Sequence, residues 1–158
     1  RYSRVVVESM ASVINQLIAR YNISNLTLIG HSGGATLAVL LAEKISETKT
    51  VITISANLDT DAWTDFHQYS RLNESLNPLH QQPMPASIQQ LHLFGSEDKN
   101  TPLFLAEKWL EKQPTPNVCL INGYTHNCCW DKIWPEIIQF GTADFPGCKL
   151  LNQLASTR

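Results

Sequence analysis

Gly30-His31-Ser32-Gly33-Gly34 separates a short apolar run, Leu26 to Ile29, from a stretch, Ala35 to Ile45, that is apolar on almost every side. The first run is strand-length. The second is long enough for a helix and, being apolar all round, is expected to be buried. The chain must change period from 2 to 3.6 inside one tight turn, which places Ser32 at a strained backbone position, with glycines two residues before and two after it to relieve the crowding. A strand that runs straight into a buried helix is half of a βαβ unit. The rest of the sequence repeats the alternation. Val6, Met10, Val13, Ile14, Leu17, Ile18 and Tyr21 predict a helix over 3–21 with one apolar stripe. Val51 to Ser55, Gln90 to Phe94 and Asn117 to Ile121 read as further strands. Helices are expected from Pro102 to about Lys112 and from Pro135 to about Phe140, each opened by a proline whose missing N–H costs nothing there. Residues 56–85 are polar and irregular, with room for a short helix, and the tail from Gly141 is weakly patterned. The expected class is α/β, with a parallel sheet and crossover helices.

Composition narrows the possibilities. At 158 residues the chain fits one domain of ordinary size. Its 12 basic and 14 acidic residues leave a formal charge of −2, so electrostatics gives no reason to expect nucleic acid as a partner. Its longest apolar stretch, Ala35 to Ala42, falls far short of the roughly 20 residues a membrane span needs. Cys119, Cys128, Cys129 and Cys148 contain no Cys-x-x-Cys pair, so no metal site is expected.

The turn fits the pattern Gly-x-Ser-x-Gly, and its strand-to-helix context is the one in which a serine acts as a nucleophile. The Ser32 hydroxyl would project from the C-terminal edge of the sheet. The Gly33 N–H, at a helix N-terminus, would face a developing oxyanion. A serine needs a base. His31 lies inside the turn, His67 and His80 in the irregular segment, and His92 inside a strand, where a packed core histidine is expected. His126 follows the fourth strand and is the chosen base. Asp98 follows the third strand, ahead of its neighbour Glu97 by turn position, and is the chosen acid. Asp59, after the second strand, is the alternative acid, with a helix cap as its structural role. The chain order Ser32, Asp98, His126 then brings all three to one edge of the sheet.

These residues resemble the α/β-hydrolase superfamily. Ala56-Asn57-Leu58-Asp59, Ala62-Trp63, Ser75-Leu76-Asn77-Pro78 and His126-Asn127-Cys128-Cys129-Trp130 are similar to a group of uncharacterised bacterial members, some of them lipoproteins. That group commonly has a second histidine where this chain has Asn127. The resemblance implies an α/β-hydrolase fold represented by its C-terminal part, about four strands with crossover helices, the N-terminal strands being absent from 1–158. It implies an unpaired edge on the strand before Ser32, open to self-association, and a second oxyanion donor supplied from elsewhere. It also implies a small-molecule acyl substrate, no cofactor, and a cell-envelope or periplasmic setting.

Trp63, with Phe66 and Tyr69, is a candidate substrate wall or lid, and His31 a candidate wall beside the nucleophile. Cys128 and Cys129 follow the base directly. Three arrangements are open for them: a disulfide to Cys148 or to a cysteine outside 1–158, a strained vicinal pair, or packed free thiols. Cys119 reads as a small core residue. Two functions follow: an esterase-, lipase- or thioesterase-like serine hydrolase, with amide cleavage open, or an inert hydrolase-like module with a binding or structural role.

Overall fold

The computed structural model describes residues 1–139. Four strands form one parallel sheet in the order β1-β2-β3-β4: β1 (Leu26–His31), β2 (Thr48–Ile54), β3 (Gln89–Gly95) and β4 (Pro116–Ile121). The helices are α1 (Arg4–Tyr21), α2 (Gly33–Ala42), α3 (Thr60–Phe66), the single turn α4 (Glu107–Leu110) and α5 (Trp134–Ile138).

The pleat sorts the core. Val51, Phe94 and Val118 point to the face covered by α2 and α4, where Ala35, Val39, Trp109 and Leu110 meet them. Ile52, Ile54, Leu91, Leu93 and Ile121 point to the other face, closed by Trp130 and Ile137. Both faces are apolar, as a parallel sheet requires. His92 stands in the middle of β3, fully buried. Its Nδ1 accepts from the Thr53 hydroxyl at 2.8 Å, and its Nε2 donates to Gln90 Oε1 at 3.2 Å.

The helix predicted from Pro102 to Lys112 is broken. A 3-10 turn at Leu103–Leu105 precedes the single turn of α4. The expected stripe of α1 is split. From α1, Val7, Ala11 and Ile18 pack with Leu40, Leu41 and Ile45, and Ile14 of the predicted stripe packs against them. Val6, Met10, Val13, Leu17 and Tyr21, from the predicted stripe, lie exposed on the adjacent flank. The spacing found an apolar helix face, but α2 covers the neighbouring one. Among the described residues, β1 pairs with β2 on one side and has no strand on the other.

Candidate active site

Register carries the site residues to one level. His31 pairs with Ile54, Ile54 with Leu93, and Gly95 with Ile121, so the segments after β1, β3 and β4 leave the sheet side by side. Ser32 follows β1, Asp98 follows β3 and His126 follows β4.

Ser32 has φ 53° and ψ −123°, a strained conformation for a residue with a side chain. The crowding that the turn relieves is one-sided. A Cβ on Gly30 would run into the backbone of Gly34 and Ala35, whereas a Cβ on Gly34 would meet nothing within 4 Å. Gly30 is therefore sterically required and Gly34 is not, which corrects the symmetrical reading of the motif. The Gly33 N–H opens α2, where helix geometry leaves it without an intrahelical partner. A Cβ on Gly33 would approach the Tyr2 hydroxyl to 2.9 Å.

A continuous line of hydrogen bonds joins the three predicted residues. Ser32 Oγ lies 2.9 Å from His126 Nε2, and His126 Nδ1 lies 3.0 Å from Asp98 Oδ2. The Asp98 side chain is fully buried and that of His126 is 16 % exposed. Burial opposes the Asp98 charge. Hydrogen bonds from His126 and from the Thr101 and Asn100 N–H groups outweigh it and hold the carboxyl well below the usual carboxylate range. The two backbone donors reach Asp98 Oδ1 at 2.8 Å from Asn100 and 2.9 Å from Thr101. The Thr101 hydroxyl lies 3.0 Å from both Asp98 Oδ2 and the Ser55 carbonyl, tying the acid to the end of β2.

The loop that carries His126 is fastened at that residue's carbonyl. His126 O accepts from His31 Nε2 at 2.7 Å and from Trp130 Nε1 at 3.1 Å. His31 thus lies beside His126, with ring centroids 5.1 Å apart, but its bonded nitrogen serves the loop. Trp63 is half-buried, and its indole N–H donates to Asn100 O at 3.1 Å, where His67 Nε2 also donates at 2.8 Å. Phe66, Tyr69 and Phe104 expose their rings around this pair. A cleft of about 720 Å³ opens between the loops that carry Asp98 and His126, lined by Glu97, Lys99, Asn100, Thr125 and His126 among others.

Asp59 is not brought to His126. Its Oδ1 caps α3 through the Asp61 and Ala62 N–H groups at 3.1 and 3.2 Å and accepts from Asn77 Nδ2 at 3.0 Å. His80 sits on the surface, 3.9 Å from Asp61. Cys128 and Cys129 are joined to each other, so the vicinal arrangement is the one observed; Cys148 lies outside the described residues. Cys119 is buried and disulfide-bonded, which corrects its reading as a simple core thiol. Sequence reasoning missed Asn100 and Thr101. Their signal was available: an aspartate followed two and three residues later by N–H groups free to turn back onto its carboxylate.

With this geometry in place, comparison with known proteins is informative. The family model for class 3 lipases matches residues 2–60, which hold α1, the Ser32 turn and β2. None of the curated proteins matches the chain in sequence. Among solved structures, an α/β hydrolase enzyme, MGS-MChE2, from the metagenome of lagoon sediments at Mar Chica, Morocco, is 15 % identical with a TM-score of 0.61. The match covers 84 % of this chain and 69 % of that one. The esterase domain of a Rhodothermus marinus protein is 20 % identical with a TM-score of 0.57, covering 76 % of this chain and 58 % of that one. An α-β serine hydrolase homologue from Coxiella burnetii is 18 % identical with a TM-score of 0.58, covering 88 % and 57 %. The chain has the α/β-hydrolase fold and spans 57 to 69 % of the length of these relatives.

Proposed function

We propose that this chain is a serine hydrolase acting on carboxylic esters, with Ser32 as nucleophile, His126 as base and Asp98 as its orienting acid. The single observation that carries the reading is the unbroken line from Ser32 Oγ through both nitrogens of His126 to a buried Asp98. Ser32 Oγ attacks the acyl carbon and its proton passes to His126 Nε2. The imidazolium formed is stabilised by Asp98 through Nδ1–H. The Gly33 N–H donates to the oxyanion. Nε2 then protonates the leaving alcohol, and a water repeats the sequence to release the acid. The site's own side chains supply every proton transfer.

The similarity to class 3 lipases over residues 2–60 and the esterases among the structural neighbours support an ester as the substrate. Trp63 and the exposed rings around it are proposed as the wall that takes the acyl or alcohol group. The edge of β1 that has no strand beside it among the described residues, and the exposed apolar Val13, Leu17 and Tyr21 of α1, support self-association.

Intact-mass analysis after treatment with a fluorophosphonate tests the reading. One adduct on Ser32 is expected, absent in Ser32→Ala and strongly slowed in His126→Ala. A folded wild-type protein that takes no adduct overturns it and favours the inert hydrolase-like module.

A further inference from the structure

The line of hydrogen bonds at the base has a branch. His126 Nε2, the nitrogen that takes the Ser32 proton, lies 3.0 Å from Asn100 Nδ2 as well as 2.9 Å from Ser32 Oγ. With Nδ1–H directed at Asp98, Nε2 offers one in-plane lone pair to two donors. The donors are unlike. The hydroxyl gives up its proton in the reaction and the amide does not. The amide also carries an acceptor oxygen half a turn from its nitrogen, so it can pair with Nε2 whether or not that nitrogen is protonated.

The position of Asn100 is set from both sides. Its N–H donates to Asp98 Oδ1 at 2.8 Å, and its carbonyl accepts from Trp63 Nε1 at 3.1 Å and His67 Nε2 at 2.8 Å. The side chain therefore starts from backbone locked to the acid and to the segment that contains α3.

We propose that Asn100 is a positioning residue for His126 that acts in the second half of the reaction. The proposal rests on the serine-hydrolase reading. In the first half, Ser32 Oγ bonds the acyl carbon, its proton moves to Nε2, and the carbon–alkoxy bond breaks as that proton passes to the leaving alcohol. In the acyl-enzyme, Oγ is an ester oxygen with no proton to donate, and the ring has lost its bond on the reacting side. Asn100 Nδ2 still donates to Nε2 and holds the ring plane. A water then displaces the amide and gives its proton to Nε2 as its oxygen bonds the acyl carbon. The carbon–Oγ bond breaks and the proton returns to Oγ.

Stopped-flow hydrolysis of p-nitrophenyl acetate separates the halves, since the first half releases nitrophenol. In Asn100→Leu, deacylation is expected to fall about tenfold, the effect of one net hydrogen bond, and acylation far less, so kcat and KM drop together. Equal loss in both halves marks a merely structural role and overturns the proposal, as does no loss. A second measurement needs no turnover. Asn100→Asp is isosteric and places a carboxylate beside Nε2, so the NMR titration midpoint of the His126 ring is expected to rise by about one unit. The other titratable groups facing this ring are Asp98 at Nδ1 and His31, with ring centroids 5.1 Å apart; His67 sits on the Asn100 carbonyl. His31→Gln and His67→Gln backgrounds remove the two histidines from the titration. An unmoved midpoint in a folded Asn100→Asp protein overturns the contact itself. If the wild type neither labels nor turns over, the hydrolase reading fails, and the NMR midpoint decides separately whether Asn100 engages the base.

Discussion

Lowering the pH from 7 to 5 is expected to destabilise the fold through one residue remote from the candidate site, His92. Its ring is wholly buried in the centre of β3, between Thr53 of β2 and Val118 of β4 in register, and meets Trp109 edge-on with centroids 5.1 Å apart. Burial pushes its pKa from 6.5 down to about 3. The folded form therefore keeps the ring neutral while the unfolded chain protonates it. Above pH 6.5 both states are neutral and His92 contributes nothing to the pH dependence. Below that, the unfolded state binds the proton first, and the penalty grows until the folded pKa is reached. At pH 5 the unfolded ring is protonated across about 1.5 units, which is worth about 2 kcal/mol at 1.36 kcal/mol per unit. The assay is urea unfolding followed by tryptophan fluorescence at pH 7 and pH 5, for wild type and His92→Gln. Glutamine keeps a donor and an acceptor but does not titrate. The other histidines are common to both proteins and cancel in the difference of differences. Wild type is expected to lose about 2 kcal/mol more than the variant over this interval, with an unchanged slope against urea. Equal losses in the two proteins would refute the argument that this histidine is held neutral by the sheet.

Asp98→Asn keeps the shape of the acid but removes its charge and is expected to lower kcat by about 10³- to 10⁴-fold on a nitrophenyl ester at pH 7. Because the Asp98 carboxyl is held below its ordinary range, its stabilising contribution is present above about pH 4 and lost as the pH falls further, so the same variant should show a shallower acid-unfolding curve. Asp59→Ala is expected to cost about 1 kcal/mol of stability through the lost cap of α3 while leaving kcat within about twofold; a loss of kcat like that of Asp98→Asn would restore Asp59 as the acid. Gly30→Ala forces a Cβ into the backbone of the Ser32 turn and should destabilise by about 3 kcal/mol or prevent folding, whereas Gly34→Ala should be neutral or slightly stabilising in a thermal melt. Sedimentation velocity across a dilution series is expected to show self-association that weakens when Val13 and Leu17 are both replaced by glutamate; a monomer at every concentration would count against the proposed self-association.

What the sequence disclosed, and what it withheld, divides along the range of the interactions. The Ser32 turn was legible because its constraint is local: a strand, a helix and a glycine two residues before the serine leave one backbone path. The meeting of Ser32, Asp98 and His126 was legible because parallel strands deliver the segments that follow them to a common edge, so chain order stands in for distance. Asp59 and Asp98 could not be separated with the same force. Both follow a strand, and the difference lies in what each carboxylate caps: Asp59 is consumed by α3 and Asn77, while Asp98 retains an oxygen for His126. The apolar flank of α1 was read as one stripe, and only part of it is covered, because periodicity reports the faces of a helix and not which face has a neighbour. The role of Asn100 is the least local feature of all. Its backbone is fixed by groups from two segments, and its amide reaches a nitrogen on a third, 26 residues along the chain. No spacing rule encodes that convergence; it follows only once Trp63, His67 and Asp98 have set the loop. For that reason the second partner of the His126 nitrogen is the site feature that mutation of Trp63 should also disturb. Trp63→Phe removes one of the two donors to the Asn100 carbonyl and is expected to slow deacylation in the same direction as Asn100→Leu but by a smaller factor, with the two effects less than additive in the double variant. Full additivity would mean that Trp63 and Asn100 act on the reaction separately, and the link from α3 to the base would have to be abandoned.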